Sequence, residues 1–120
     1  CAGAFLECLM SAKEHDPDKA VDYIIRHGGK FAKAKSDRVY LEEFRKSKKA
    51  LLMAESTAEA ANAREQYAYA HADYIALLEG LKAAVAIEEA LRWDLVAAQA
   101  RVDIWRTRQA TARAQDRATT

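Results

Sequence analysis

From Leu81 onward, positions recur at alternating gaps of three and four: Leu81, Ala84, Glu88, Leu91, Leu95, Ala98, Val102, Trp105, Gln109 and Ala112. All but Glu88 and Gln109 are apolar. Heptad spacing of this kind predicts a long helix with one stripe covered by a partner helix. Tyr74, Leu77 and Leu78 lead into the stripe, so the helix is expected to start near Asp73. A second stripe runs upstream through Tyr40, Phe44, Ser47, Leu51, Ala54, Ala58 and Ala61. It fades from bulky to small residues, which lets two helices approach closely.

Two shorter elements precede these. Phe5, Leu6, Leu9 and Met10 fall at helical spacing within residues 4–14. Asp16-Pro17-Asp18 then reads as a helix start, with Asp16 as N-cap, Pro17 at the first helical position and Asp18 beside the positive end of the dipole. That helix carries Val21, Ile24 and Ile25, and it is expected to end near His27, with Gly28 as a left-handed cap. The chain from Lys30 to Arg113 then forms either one uninterrupted helix or an antiparallel hairpin turning near residues 68–72. The hairpin is favoured because the two arms match in length and stripe, although no Gly or Pro marks the turn.

Composition supports the helical reading. Beyond Gly29 the chain has one further glycine, Gly80, and no proline, which few non-helical folds tolerate. The expected fold class is therefore all-α: two short N-terminal helices over residues 1–29 packing on a long coiled-coil-like hairpin over 30–120, forming a helical bundle on oligomerisation. No apolar run approaches the ~20 residues of a membrane span, so no membrane partner is expected. Cys1 and Cys8 are seven apart, too far for a bridge within one helix, and a reducing compartment, the cytoplasm, is the default. Cys1 is read as the start of a fragment or as an acylated lipoprotein terminus. No signal peptide is visible.

Net charge is +1, but it is gathered in blocks. Residues 1–29 carry −2, 30–49 carry +5, 50–100 carry −5 and 101–120 carry +3. A hairpin would bring the two basic blocks to one end, where they could hold phosphates. The candidate nucleic-acid-binding residues are Lys30, Lys33, Lys35, Arg38, Arg45, Lys46, Lys49, Arg106, Arg108 and Arg113. The competing account is a solvated surface with pairs such as Glu42–Lys46. Tyr40, Phe44 and Trp105 fall on apolar stripes and read as core more than as base-stacking platforms.

No catalytic constellation is visible. Glu88 interrupts the seam and is read either as a partner of Lys48, setting register across the hairpin, or as a water-facing seam edge. Glu88-Glu89 lacks the histidine of the di-metal bundle motif. His15, His27 and His71 are scattered, Gly28-Gly29-Lys30 is not a phosphate loop, and no serine has a nucleophile signature. No enzyme activity, no cofactor and no metal are expected.

Trp93 lies off the seam. With Ala86, Ala90, Ala97, Ala100 and Ile104 it forms a second apolar face, and a helix apolar on two sides needs covering twice. A second protomer would make a homo-oligomer. The N-terminal helices would instead close a four-helix bundle within one chain.

The stretches Tyr40-Leu41-Glu42-Glu43-Phe44-Arg45-Lys46-Ser47, Ala70-His71-Ala72-Asp73-Tyr74 to Leu91-Arg92-Trp93, Val96 to Arg101 and Ile104 to Ala110 resemble small helical proteins of tailed bacteriophages and prophages. The chain departs from that pattern in having no proline before Asp73. The resemblance implies a bacterial host cytoplasm and DNA metabolism, in replication or recombination, and supplies no catalytic residues. The function expected is that of an accessory protein binding DNA, or a phage or host DNA-processing protein, through a basic end. The alternative is an adaptor that binds protein only, through the Trp93 face.

Overall fold

The computed structural model describes residues 16–120. The helix expected over residues 4–14, and Cys1, Cys8 and His15, lie outside the described residues. Three helices follow: α1, Pro17–Glu55; α2, Ala61–Ala70; and α3, Ala72–Thr119. Among the described residues there is no strand, and the chain is all-α.

The start of α1 follows its sequence signal. The Asp16 carboxylate accepts the N–H groups of Asp18 at 3.0 Å and Lys19 at 3.3 Å, donors that the first turn leaves without partners. The expected end does not occur. α1 runs through Gly28-Gly29, and neither glycine has a positive φ. A glycine inside a helix costs roughly 1 kcal/mol relative to alanine. Here Ile24, His27, Phe31 and Ala34 carry one partly or fully buried face across the pair. With no proline following, that burial outweighs the local preference.

The reversal is also longer than residues 68–72. α1 stops at Glu55, where the Ser56 N–H donates to the Met53 carbonyl at 3.2 Å. The Ser56 hydroxyl accepts the Ala58 N–H at 3.2 Å. Arg64 Nη1 donates to the Glu59 carbonyl at 2.9 Å and holds the connection to α2. A second break falls at His71, whose ψ of 137° is extended. His71 Nδ1 accepts the Asp73 N–H at 3.0 Å and caps α3. The helix start expected near Asp73 is thus the second of two breaks that bracket α2.

The chain divides into two compact units: Lys30–Leu91, and a second made of the segments up to Gly29 and from Arg92 on. In the first unit each helix gives one buried residue to the core, Leu52, Ala68 and Tyr74, with Met53 packed against them. The α3 seam follows its predicted positions, with Leu77, Leu81 and Ala84 half-buried and Glu88 buried. The α1 seam does not. Ala34, Arg38, Leu41, Phe44, Lys48 and Leu52 turn inward, while Tyr40, Ser47, Leu51 and Ala54 are exposed. Apart from Phe44, the predicted stripe is slipped by one position, about 100° of rotation. Two cations, Arg38 and Lys48, occupy seam positions that a search for apolar residues assigns to water.

Those cations settle the Glu88 question against the expected partner. Glu88, 7% exposed, accepts two hydrogen bonds from Arg38, one through Nε and one from Nη2 at 3.0 Å. Lys48 lies instead 3.8 Å from Asp73. The earlier end of α1 moves every level pair, so Lys48 never faces Glu88. Arg38 Nη1 also donates to both oxygens of Glu42 at 3.0 Å. These hydrogen bonds, those to Glu88 foremost, hold the guanidinium pKa above its ordinary value. The carboxylate is therefore buried with its charge partnered, the condition under which such burial is tolerated.

In the second unit Ala20 and Ala98 are buried and Leu95 and Val102 half-buried. The Tyr23 hydroxyl is pushed above its usual pKa, by burial first and then by the Asp94 carboxylate. Every residue from Asp103 to Thr120 is exposed, including Trp105, Gln109 and Ala112. The stripe therefore ends, as packed surface, at Val102.

Candidate nucleic-acid interface

Three of the predicted cationic residues converge. Arg45, Lys46 and Lys49 line a surface pocket of about 390 Å³ together with Tyr69 and Tyr74. Helical spacing places Arg45 and Lys49 one turn apart on α1, with Lys46 beside them. The tyrosines come from either side of the His71 break: Tyr69 from the last turn of α2 and Tyr74 from the first turn of α3. Their rings meet edge to face, 5.3 Å between centroids at 72°. Tyr74 is buried, whereas Tyr69 is 45% exposed and presents a ring to solvent.

The cations differ in how they are held. Lys49 Nζ donates to Glu65 at 2.7 Å and lies 4.7 Å from the Tyr69 ring centroid. The hydrogen bond to Glu65 raises the Lys49 pKa, and the same bond lowers that of Glu65. Lys46 meets Glu43 at 3.3 Å, an exposed pair on its own helix. Arg45 is exposed and has no ion-pair partner among the described residues. The pocket therefore offers one unpaired guanidinium, two ammoniums whose carboxylates an incoming anion would have to displace, and an aromatic face.

The other predicted residues are placed elsewhere. Lys33 pairs with Asp37 at 3.0 Å, and Arg38 is held by Glu42 and Glu88. Lys30 and Lys35 are exposed, without ion-pair partners among the described residues. Arg106 and Arg113 line a shallow groove of about 460 Å³ with Asp103, Thr107 and Ala110, and Arg108 is exposed. The two basic blocks fall in different compact units. Ala86, Ala90, Trp93, Ala97, Ala100 and Ile104 are all exposed.

The sequence assigns Tyr69 no role and reads Tyr74 only as a seam residue, so neither tyrosine is among the candidate binding residues. The signal that could have found Tyr69 is the interleaved Tyr67-Ala68-Tyr69-Ala70 run beside His71, which sits at the break. Among the described residues no group of three or more His, Cys, Asp and Glu side chains is placed to hold a metal ion. No described helix is long and apolar enough to cross a membrane. No protein-family model, curated protein or solved structure matches the chain.

Proposed function

We propose that this chain acts by binding, and that its ligand is single-stranded nucleic acid held at the Arg45–Lys46–Lys49–Tyr69–Tyr74 pocket. The observation that carries this reading is the convergence of three cations with an exposed aromatic ring. Cations along a groove take up phosphates, and an aromatic face stacks a base without regard to its identity. Stacking on an aromatic face needs an unpaired base, which favours a single strand over a duplex. The phage-like stretches named above support a role in DNA metabolism within a bacterial host, and that role is part of the same proposal.

The test is fluorescence anisotropy of a labelled oligothymidylate titrated with the protein. With about three phosphates neutralised, log Kd rises with log salt at a slope near 2, so affinity falls about twentyfold from 50 to 200 mM salt. Arg45→Ala and Lys49→Ala each reduce that slope by about 0.7. Tyr69→Ala weakens binding at every salt concentration by about 1–3 kcal/mol and leaves the slope unchanged. No anisotropy change at 50 mM salt rules the reading out.

A further inference from the structure

His71 stands at the break between α2 and α3 and serves both helices. Its backbone N–H donates to the Ala68 carbonyl at 3.3 Å and closes α2, while its carbonyl accepts the N–H groups of Tyr74 and Ile75 at 3.1 Å. Its ring caps α3, with Nδ1 accepting the Asp73 N–H at 3.0 Å. A backbone N–H only donates, so Nδ1 carries no proton in this arrangement. The ring is therefore neutral, with its proton on Nε2. Serine, threonine, aspartate and asparagine are the usual capping residues, and all of them keep an acceptor at neutral pH and below. An imidazole does not, because it changes charge between about pH 5 and 8.

The groups that face the ring come from all three helices. On α2 the Tyr67 ring meets it edge to face, with 5.7 Å between centroids. On α3 the Asp73 Oδ2 lies 3.8 Å from Nδ1. On α1 the Lys48 Nζ lies 3.8 Å from the same Oδ2. The His71 and Lys48 side chains are each 26% exposed, so water screens them only in part. Asp73 is 62% exposed and has room to turn between them.

We infer that His71 is a pH-sensitive switch at the α2–α3 break. The neutral ring caps α3 through Nδ1. The protonated ring gives up that cap and pairs with the Asp73 carboxylate, in competition with Lys48. A proton added to Nδ1 turns it from acceptor into donor. The Asp73 N–H then loses its partner, and two hydrogens face each other along the former bond. The imidazolium has the carboxylate beside it, and a charge-assisted bond between them closes to about 2.7–2.9 Å. The helix ends draw the cation the same way. It is favoured at the C-terminal end of α2 and disfavoured at the N-terminal end of α3, where the capping nitrogen lies. The exchange falls at the break that sets the Tyr69 and Tyr74 rings edge to face, so it loosens the first turn of α3 beside that pair.

Nuclear magnetic resonance of the full chain from about pH 5.5 to 8 tests the inference. At pH 8 the long-range proton–nitrogen correlations of the His71 ring should show the Nε2–H tautomer. As pH falls, the Asp73 amide proton should move upfield with the same midpoint as the ring, and its protection from exchange should drop over the same range. His71→Asn keeps an acceptor at the cap that does not titrate, so the Asp73 amide should hold its position across the range. Asp73→Asn, which removes the carboxylate, should move the midpoint of the ring to lower pH. Lys48→Met, which removes the competing cation, should move it to higher pH. An Nδ1–H tautomer at pH 8 overturns the inference. So does an Asp73 amide that fails to follow the ring, or one that still follows pH in His71→Asn. A midpoint that neither Asp73→Asn nor Lys48→Met moves overturns the exchange of partners.

Discussion

The two compact units use the same helices in opposite ways. Within Lys30–Leu91, α1, α2 and α3 close on Leu52, Ala68 and Tyr74, and ion pairs lock the faces together. Among the described residues of the other unit, those buried are Ala20 and Ala98, and from Asp103 on no side chain is buried. Both stretches of α3 are equally helical. Helix propensity therefore sets the backbone in both, while stability follows burial, and among the described residues the largest buried side chains lie around the reversal. The first unit holds the pocket lined by Arg45, Lys46, Lys49, Tyr69 and Tyr74, and the second leaves Trp93 and Ile104 exposed.

Core truncation breaks the comparison most sharply. Leu52 is 1% exposed, and Leu52→Ala should cost about 2–5 kcal/mol in urea unfolding. Val102→Ala, at a half-buried site of the second unit, should cost about 1 kcal/mol. Equal losses at the two positions would show that burial does not separate the units.

The Arg38–Glu88 pair comes next. Arg38→Ala leaves a carboxylate that is 7% exposed without its principal donor, so the urea midpoint should fall clearly. Arg38→Met combined with Glu88→Leu should recover most of that fall, since the same volume is then filled without a buried charge. If the double variant is as weak as the single one, the pair contributes by more than satisfying Glu88.

Glycine replacement measures the helices themselves. An alanine methyl at Gly28, Gly29 or Gly80 meets no atom within 4 Å, and none of these glycines has a positive φ. Each substitution should stabilise by about 0.5–1 kcal/mol. Gly80→Ala, in the well-packed unit, should appear fully in global unfolding. Gly28→Ala should appear mainly as slower amide exchange around residue 28, if the second unit opens locally.

The smallest expected effect is the pH response of Lys49–Glu65. The Glu65 carboxyl is held below its usual value, chiefly by the Lys49 hydrogen bond. Its contribution is present above the ordinary carboxylate pKa and fades as pH falls through the lowered folded value. The Lys49 ammonium is held above its usual value, so its share is present at neutral pH and fades only on the alkaline side, as pH rises through the raised value. Glu65→Gln should flatten the acid limb of the urea midpoint below pH 5 and tighten oligothymidylate binding at pH 7, because Lys49 then loses its competing carboxylate. A variant that binds no tighter would show that Lys49 does not contact phosphate.

The parts of this protein that were legible in sequence are those set by neighbours along the chain. The cap at Asp16-Pro17-Asp18 and the seam from Tyr74 to Val102 depend on spacing within one helix, and both are found where spacing puts them. The passage of α1 through Gly28-Gly29 was not legible, because a local cap signal competes there with burial on the Ile24, His27, Phe31 and Ala34 face that exists only in the folded chain. The α1 register was hidden for a related reason. Arg38 and Lys48 earn their inward positions from Glu88 and Asp73, fifty and twenty-five residues away. The pocket follows from the double break around α2, which sets Tyr69 and Tyr74 against three cations on α1. Sequence thus determined that the chain is helical and which face of α3 is covered. Tertiary structure decided which face of α1 meets it, because that choice rests on pairing charges, and a charge's partner cannot be read from its neighbours in the chain.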